Sequence, residues 1–191
     1  LSSVIDAAEK KWGDQLPRPI FGFGISQGAA VLLQALPQEP RLSAAVTVAP
    51  FSELGEVMKQ AVANQISPSM PSLLTWGVLG LGGVRAGFNP GGIQPVRSAT
   101  RIGVPVMVVH GENDGVIPIE QGREIFEALP GEGKAWRPVP DGHHGNVLAV
   151  GGDALYQEMI EFWLRTGGKS GNLEYYGATF FDCSRRAAKV K

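Results

Sequence analysis

Apolar positions along the chain alternate between two rhythms. Residues 4 to 12, VIDAAEKKW, place apolar side chains at Val4, Ile5, Ala8 and Trp12, a helical spacing. RPIFGFG, from Arg18, reads as a short buried strand, and QGAAVLLQAL, from Gln27, as the helix after it, stopped by Pro37 and Pro40. LSAAVTVAPF, residues 42 to 51, is a continuous apolar run with β-branched residues, the mark of a strand covered on both faces. VPVMVVHG, residues 104 to 111, is a stronger case of the same kind. IEQGREIFEAL, 119 to 129, returns to helical spacing. KAWRPVPDG, 134 to 142, is a less apolar strand and so belongs nearer a sheet edge, and ALYQEMIEFWLRT, 154 to 166, is a closing amphipathic helix. Four strand–helix alternations predict α/β architecture, a mainly parallel sheet with helices on both faces. Ligands of such sheets bind beyond the carboxyl ends of the strands, so chemistry is expected in the loops that follow them.

Residues 52 to 100 break the alternation with Gly, Pro, Ser and Leu, and hold Met58, Met70 and Trp76. Two readings stand level: a small cap-like insertion over a pocket, or a surface excursion packed on the sheet. Within this stretch, residues 70 to 88 are apolar, but Pro71 and Arg85 bound a run short of the roughly 20 residues that a spanning helix needs. No integral membrane segment is expected. The basic residues 169 to 191 lack periodicity and are expected to be a poorly ordered tail, which leaves 1 to 168 as one domain.

A length of 191 residues suits that single domain, and 43% hydrophobic with 18% charged residues is a globular composition. The formal net charge of −1 gives no electrostatic reason to expect nucleic acid or an anionic membrane as partner. Cys183 is the only cysteine, which excludes an internal disulfide and any CxxC site. The chain opens on Leu1 without a charged and then apolar leader; the cytoplasm is the expected compartment, with a processed chain or a fragment also open.

The chemistry begins at Gly24-Ile25-Ser26-Gln27-Gly28, a G-x-S-x-G pattern between a predicted strand and a predicted helix. A turn that tight pushes one hydroxyl outward, and Gly24 and Gly28 are expected to be there because side chains would collide. The backbone N–H of Gln27, at the helix N-terminus, is the expected oxyanion donor. A serine nucleophile needs a base, and the base an orienting acid. Asp114, in VVHGENDGVIP, lies past the most apolar strand, and His144, in PDGHHGNVL, past the next one. All three stand in loops at strand carboxyl ends, in the order Ser26, Asp114, His144.

Over about residues 4 to 166 the chain resembles the α/β-hydrolase superfamily, in its branch of serine esterases, lipases and S33- or dienelactone-hydrolase-like enzymes. The resemblance rests on GISQG, PVMVVHGENDGVIP, GHHG and the closing EFWL. It implies a catalytic triad of Ser26, Asp114 and His144, no cofactor, and a small-molecule ester or acyl substrate. The family's histidine stands directly before a glycine, which favours His144 over its neighbour His143. It also implies a second oxyanion donor from a strand well upstream of the serine. Only 25 residues precede Ser26, so the expectation is an N-terminally truncated or unusually reduced hydrolase with an apolar sheet edge.

Other residues carry competing readings. His110, ending a buried strand, is expected to be structural, holding the Asp114 loop. Glu112 is the second choice of acid. A zinc site from His110, Asp114, His143 and His144 is not expected without a compact ligand spacing such as HExxH. Phe51, Met70 and Trp76 are candidates for an acyl pocket, although such residues more often simply pack. Three functions remain open: hydrolysis of an ester or, less favoured, an amide; acyl transfer by the same triad; and a binding or scaffold protein that keeps the fold alone.

Overall fold

The computed structural model describes residues 1–65 and 92–167. Strands β1 (Ile20–Ile25), β2 (Leu42–Val48), β3 (Val106–Gly111) and β4 (Ala135–Val139) form one sheet in the order β1-β2-β3-β4. All three strand pairs are parallel. The residues predict this arrangement directly. Every residue of β3 is buried, and in β2 only Ser43 is not, as strands inside an α/β sheet must be. Of the five residues of β4 only Val139 is buried, in keeping with its outer place among the described strands.

Alternation along the strands sends side chains to two separate cores. Ala45, Val106 and Val108 meet Leu32, Leu33, Ala99 and Ile125 on one face. The helices there are α2 (Gln27–Ala35), α4 (Pro95–Ala99) and α5 (Ile119–Ala128). On the other face Val46, Val48, Met107 and Val109 meet Leu155, Met159 and Phe162 of α6 (Val147–Gly167). Helix α1 (Ser2–Trp12) adds Ile5 to the first core. Helix α3 (Leu54–Gln65) follows β2. The end of the interrupting stretch, with Ala99 buried in the first core, thus belongs to the sheet's helix layer. Met70 and Trp76 lie outside the described residues, as do residues 169 to 191.

The closing helix starts earlier than its periodicity predicts. Gly151-Gly152 reads as a turn, and Gly152 does take non-helical angles (φ 55°, ψ −157°), but residues on both sides of it are helical. Lys134 reaches back from β4's entry to the carbonyl oxygens of Phe126 (3.0 Å) and Leu129 (2.8 Å), capping α5 with a cation where its dipole favours one. Among the described strands β1 is an outer one, with Phe23 and Ile25 exposed. No described helix is long and apolar enough to cross a membrane.

The entry to β2 is fixed by charge. Glu39 is buried, and Arg41 Nε and Nη2 each donate to its carboxylate at 2.6 Å. The same guanidinium reaches Asp6 (2.6 Å) and Glu9 (2.8 Å) on α1. Hydrogen bonds from Arg41 outweigh burial and hold the Glu39 carboxyl at about 2, below the ordinary 4.5. A depressed carboxylate stabilises the fold fully above its unfolded value and loses that contribution as pH falls toward the folded one. Replacing Arg41 strands a buried carboxylate, so Arg41→Met is expected to cost about 1–3 kcal/mol at pH 7. Urea unfolding measured across pH should show the gap between variant and parent closing as pH drops from 4.5 toward about 2.

Candidate active site

Ser26 occupies the single residue between β1 and α2, with φ 51° and ψ −117°, a conformation that side-chain-bearing residues rarely adopt. Such strain costs on the order of 1–3 kcal/mol and persists only where neighbours over-determine it. Here the Ser26 N–H donates to the Val48 carbonyl at 2.8 Å, tying the turn to the end of β2. Gly24 answers the steric requirement: a Cβ there would stand 2.6 Å from the Gly28 carbonyl oxygen and 2.8 Å from Ala29 Cα. Gly28 does not. A Cβ on Gly28 would meet nothing within 4 Å, so the expectation that both glycines prevent collisions holds for the first alone. The turn closes over Gly24 because α2 rises directly above it, whereas Gly28 faces outward.

Asp114 stands three residues beyond β3 with its side chain wholly buried. Its Oδ1 accepts from the backbone N–H groups of Val116 and Ile117, each at 2.9 Å. Its Oδ2 lies 2.8 Å from His144 Nδ1. A carboxylate only accepts, so Nδ1 bears the imidazole proton and Nε2 is left with its lone pair. That Nε2 is 2.9 Å from Ser26 Oγ. The His144 side chain is 22% exposed, enough to stay reachable from the loops' outer side.

The two loops that carry these side chains are joined backbone to backbone. Glu112 N–H donates to Val139 O at 3.0 Å and Asn113 N–H to Gly142 O at 2.9 Å. A Cβ on Gly111 would lie 2.4 Å from the Gly142 oxygen, so the contact requires glycine. The adjacent histidines separate here. His143 is exposed, its Nδ1 2.8 Å from the Asn113 carbonyl, and its own N–H donates to Asn146 Oδ1 at 2.6 Å. Glu112 is exposed, whereas Asp114 faces His144.

Gln27 is the first residue of α2, which puts its backbone N–H at the helix's positive end beside Ser26. Phe51 is buried against Ala30 and Ile117 in a small apolar cluster beside the site. Among the described residues no three His, Cys, Asp or Glu side chains group as a metal site would. Residues that the sequence did not single out are Val116 and Ile117, which work through backbone N–H groups, and Asn146. Their signal is weak, because any residue but proline supplies an N–H.

A parallel sheet crossed by helices on both faces, with a serine at the sharp turn after β1 and an aspartate and a histidine in the loops after β3 and β4, is the α/β-hydrolase fold, and the chain has it. Solved structures of that fold superpose on it. An esterase of Pyrococcus furiosus matches with a TM-score of 0.65 at 19% identity, over 85% of this chain and 60% of that one. The acylaminoacyl peptidase of Pyrococcus horikoshii matches with 0.61 at 18%, over 90% of this chain and 28% of that one. A monoacylglycerol lipase of Paleococcus ferrophilus gives 0.57 at 17%, over 85% and 73%. The chain therefore spans less than two thirds of the esterase and under a third of the peptidase. No family model matches the chain, and no curated protein does.

The glycine geometry separates two substitutions that the sequence pattern treats alike. Gly24→Ala is expected to cost about 1–3 kcal/mol through backbone displacement. Gly28→Ala should leave stability unchanged or raise it by up to about 1 kcal/mol, since alanine is the better helix former. Urea denaturation of the two variants beside the parent checks both.

Proposed function

We propose that the chain is a serine hydrolase that cleaves a carboxylic ester through an acyl-enzyme on Ser26. The observation that carries the reading is the continuous run of contacts from Ser26 Oγ to His144 (2.9 Å) and from His144 to buried Asp114 (2.8 Å). Solved structures of the same fold that are named as esterases and a lipase favour the same reaction class.

In this reading Ser26 Oγ attacks the ester carbonyl carbon as His144 Nε2 takes the hydroxyl proton. Asp114 keeps the imidazole in the Nδ1–H tautomer and stabilises the cation that forms. The carbonyl oxygen, now negative, faces the Gln27 N–H at the start of α2. As the tetrahedral carbon collapses, the bond to the alcohol oxygen breaks and His144 returns the proton to it. Water enters next, gives its proton to His144 and attacks the acyl carbon; as the acid departs, the bond to Ser26 Oγ breaks and His144 returns the proton to that oxygen. The residues complete this cycle with no cofactor. Phe51, Met70 and Trp76 are proposed to shape the acyl side of the site, Phe51 from the cluster beneath it.

Fluorophosphonate labelling with peptide mapping tests the nucleophile without a guess about substrate. A single adduct on Ser26, absent in Ser26→Ala and His144→Ala, is the expected result. On a panel of nitrophenyl esters Asp114→Asn should lose about 10⁴-fold in kcat, and His143→Ala should stay within a few-fold of the parent. Ester turnover unchanged in Ser26→Ala would rule the mechanism out.

A further inference from the structure

One buried titratable side chain next to the site takes no part in the steps above. His110, the fifth residue of β3, is fully buried. Its Nε2 lies 2.9 Å from the carbonyl oxygen of Ile117 and 3.6 Å from Asp114 Oδ2. A carbonyl oxygen only accepts, so Nε2 carries the proton. Nδ1 is left as a buried acceptor without a hydrogen-bond partner. It points at α5, where a Cβ on Gly122 would lie 2.4 Å from it. A glycine inside a helix costs about 1 kcal/mol relative to alanine, and this one leaves room for the imidazole.

We propose that His110 is a positioning residue for Asp114: by donating from Nε2–H to the Ile117 carbonyl it fixes the residue that grips Oδ1, which leaves Oδ2 aimed at His144. The inference rests on the hydrolase reading for what Asp114 does, but its geometry stands apart from it. Ile117 is the link, since its carbonyl accepts from His110 while its N–H donates to Asp114 Oδ1 at 2.9 Å. Val116 is the second donor to the same Oδ1, so the carboxylate is held by that oxygen while Oδ2 faces His144.

The ring must also stay uncharged, because a cation 3.6 Å from Oδ2 would compete with His144 for the same carboxylate. The surroundings favour that. Burial lowers the His110 pKa below its ordinary value, against the opposing pull of the Ile117 carbonyl, Asp114 and Glu120, and with the help of His144. On the other side the ring stacks on Trp136 of β4, centroid to centroid 6.5 Å. Arg123 of α5 lies over that same indole at 5.5 Å. Neutral His110 therefore orients Asp114 without taking its charge.

The test compares His110→Leu, which fills the space without a donor, with His110→Gln, which can still donate to Ile117 O. The readout is the proton-NMR resonance of His144 Nδ1–H, assigned by its loss in His144→Ala, together with kcat, KM and the rate of fluorophosphonate labelling. The parent and His110→Gln are expected to keep the resonance and to agree in kcat within a few-fold. His110→Leu is expected to lose it and to fall in kcat by up to about 100-fold with KM unchanged, as a misplaced catalytic group would cause. Gly122→Ala displaces the ring while leaving every hydrogen-bonding group in place, and should lose the resonance too; it carries the test if His110→Leu does not fold. The proposal is overturned if the parent lacks the resonance. It is also overturned if His110→Leu and Gly122→Ala keep both resonance and kcat, or if His110→Gln loses as much as His110→Leu. A chain whose resonance follows the expected pattern while Ser26 takes no label upholds the positioning role and defeats the hydrolase reading.

Discussion

The backbone of Ser26 is held at φ 51° against its own preference, and the hydrogen bond from its N–H to Val48 O is what fixes it there. That bond exists only because β1 and β2 run parallel and hold one register from Phe21 onward, with Ile25 paired to Val48 at their carboxyl ends. The next strand enters the same way, since Ala49, itself at φ 48°, donates to Val109 O at 2.8 Å. Two strained residues therefore stand side by side at the end of the sheet, each braced by the strand beyond it. The local cost, on the order of 1–3 kcal/mol per residue, is offset by the buried strand interiors and not by anything at the site.

Electrostatics at the site follows from the same placement. Asp114 is buried, and a buried carboxylate is tolerable only when its oxygens are satisfied. Two backbone N–H groups and His144 supply that. The requirement to satisfy the charge and the requirement to aim it are met by one set of contacts, so the carboxylate cannot swing without losing a partner. His110 Nε2 lies 3.6 Å from the same Oδ2, beyond hydrogen-bond distance. Contrast the Glu39–Arg41 pair, where buried charge meets an opposite charge directly and the bond serves to join α1 to the entry of β2.

Much of this was legible in the residues, for reasons that can be named. β2 and β3 are buried on both faces, and unbroken apolar runs are how such strands read. The mixed sequence of β4 marked an edge. GISQG was readable because it sits where the rhythm changes from strand to helix. The start of α6 was not, since Gly151-Gly152 looks like a turn and is a kink between helical stretches. Gly24 and Gly28 are equivalent as letters; only the path of α2 over the end of β1 makes the first one obligatory. Nor does sequence alone separate His143 from His144.

Backbone geometry gives the two histidines different surroundings. Asp141, two positions before His143, takes φ 59°, and the Gly142 carbonyl is pressed against Gly111 too closely for a side chain on Gly111. This pins the start of the loop to the Asp114 loop. His143 is then tied at both ends of the residue, its N–H to Asn146 and its ring to the Asn113 carbonyl. The next residue projects away from it, toward Ser26 and Asp114. Adjacent identical side chains thus acquire different partners from contacts between glycines that carry no side chain of their own. Specificity of position at this site is a property of backbone packing first, and of the imidazole only after that.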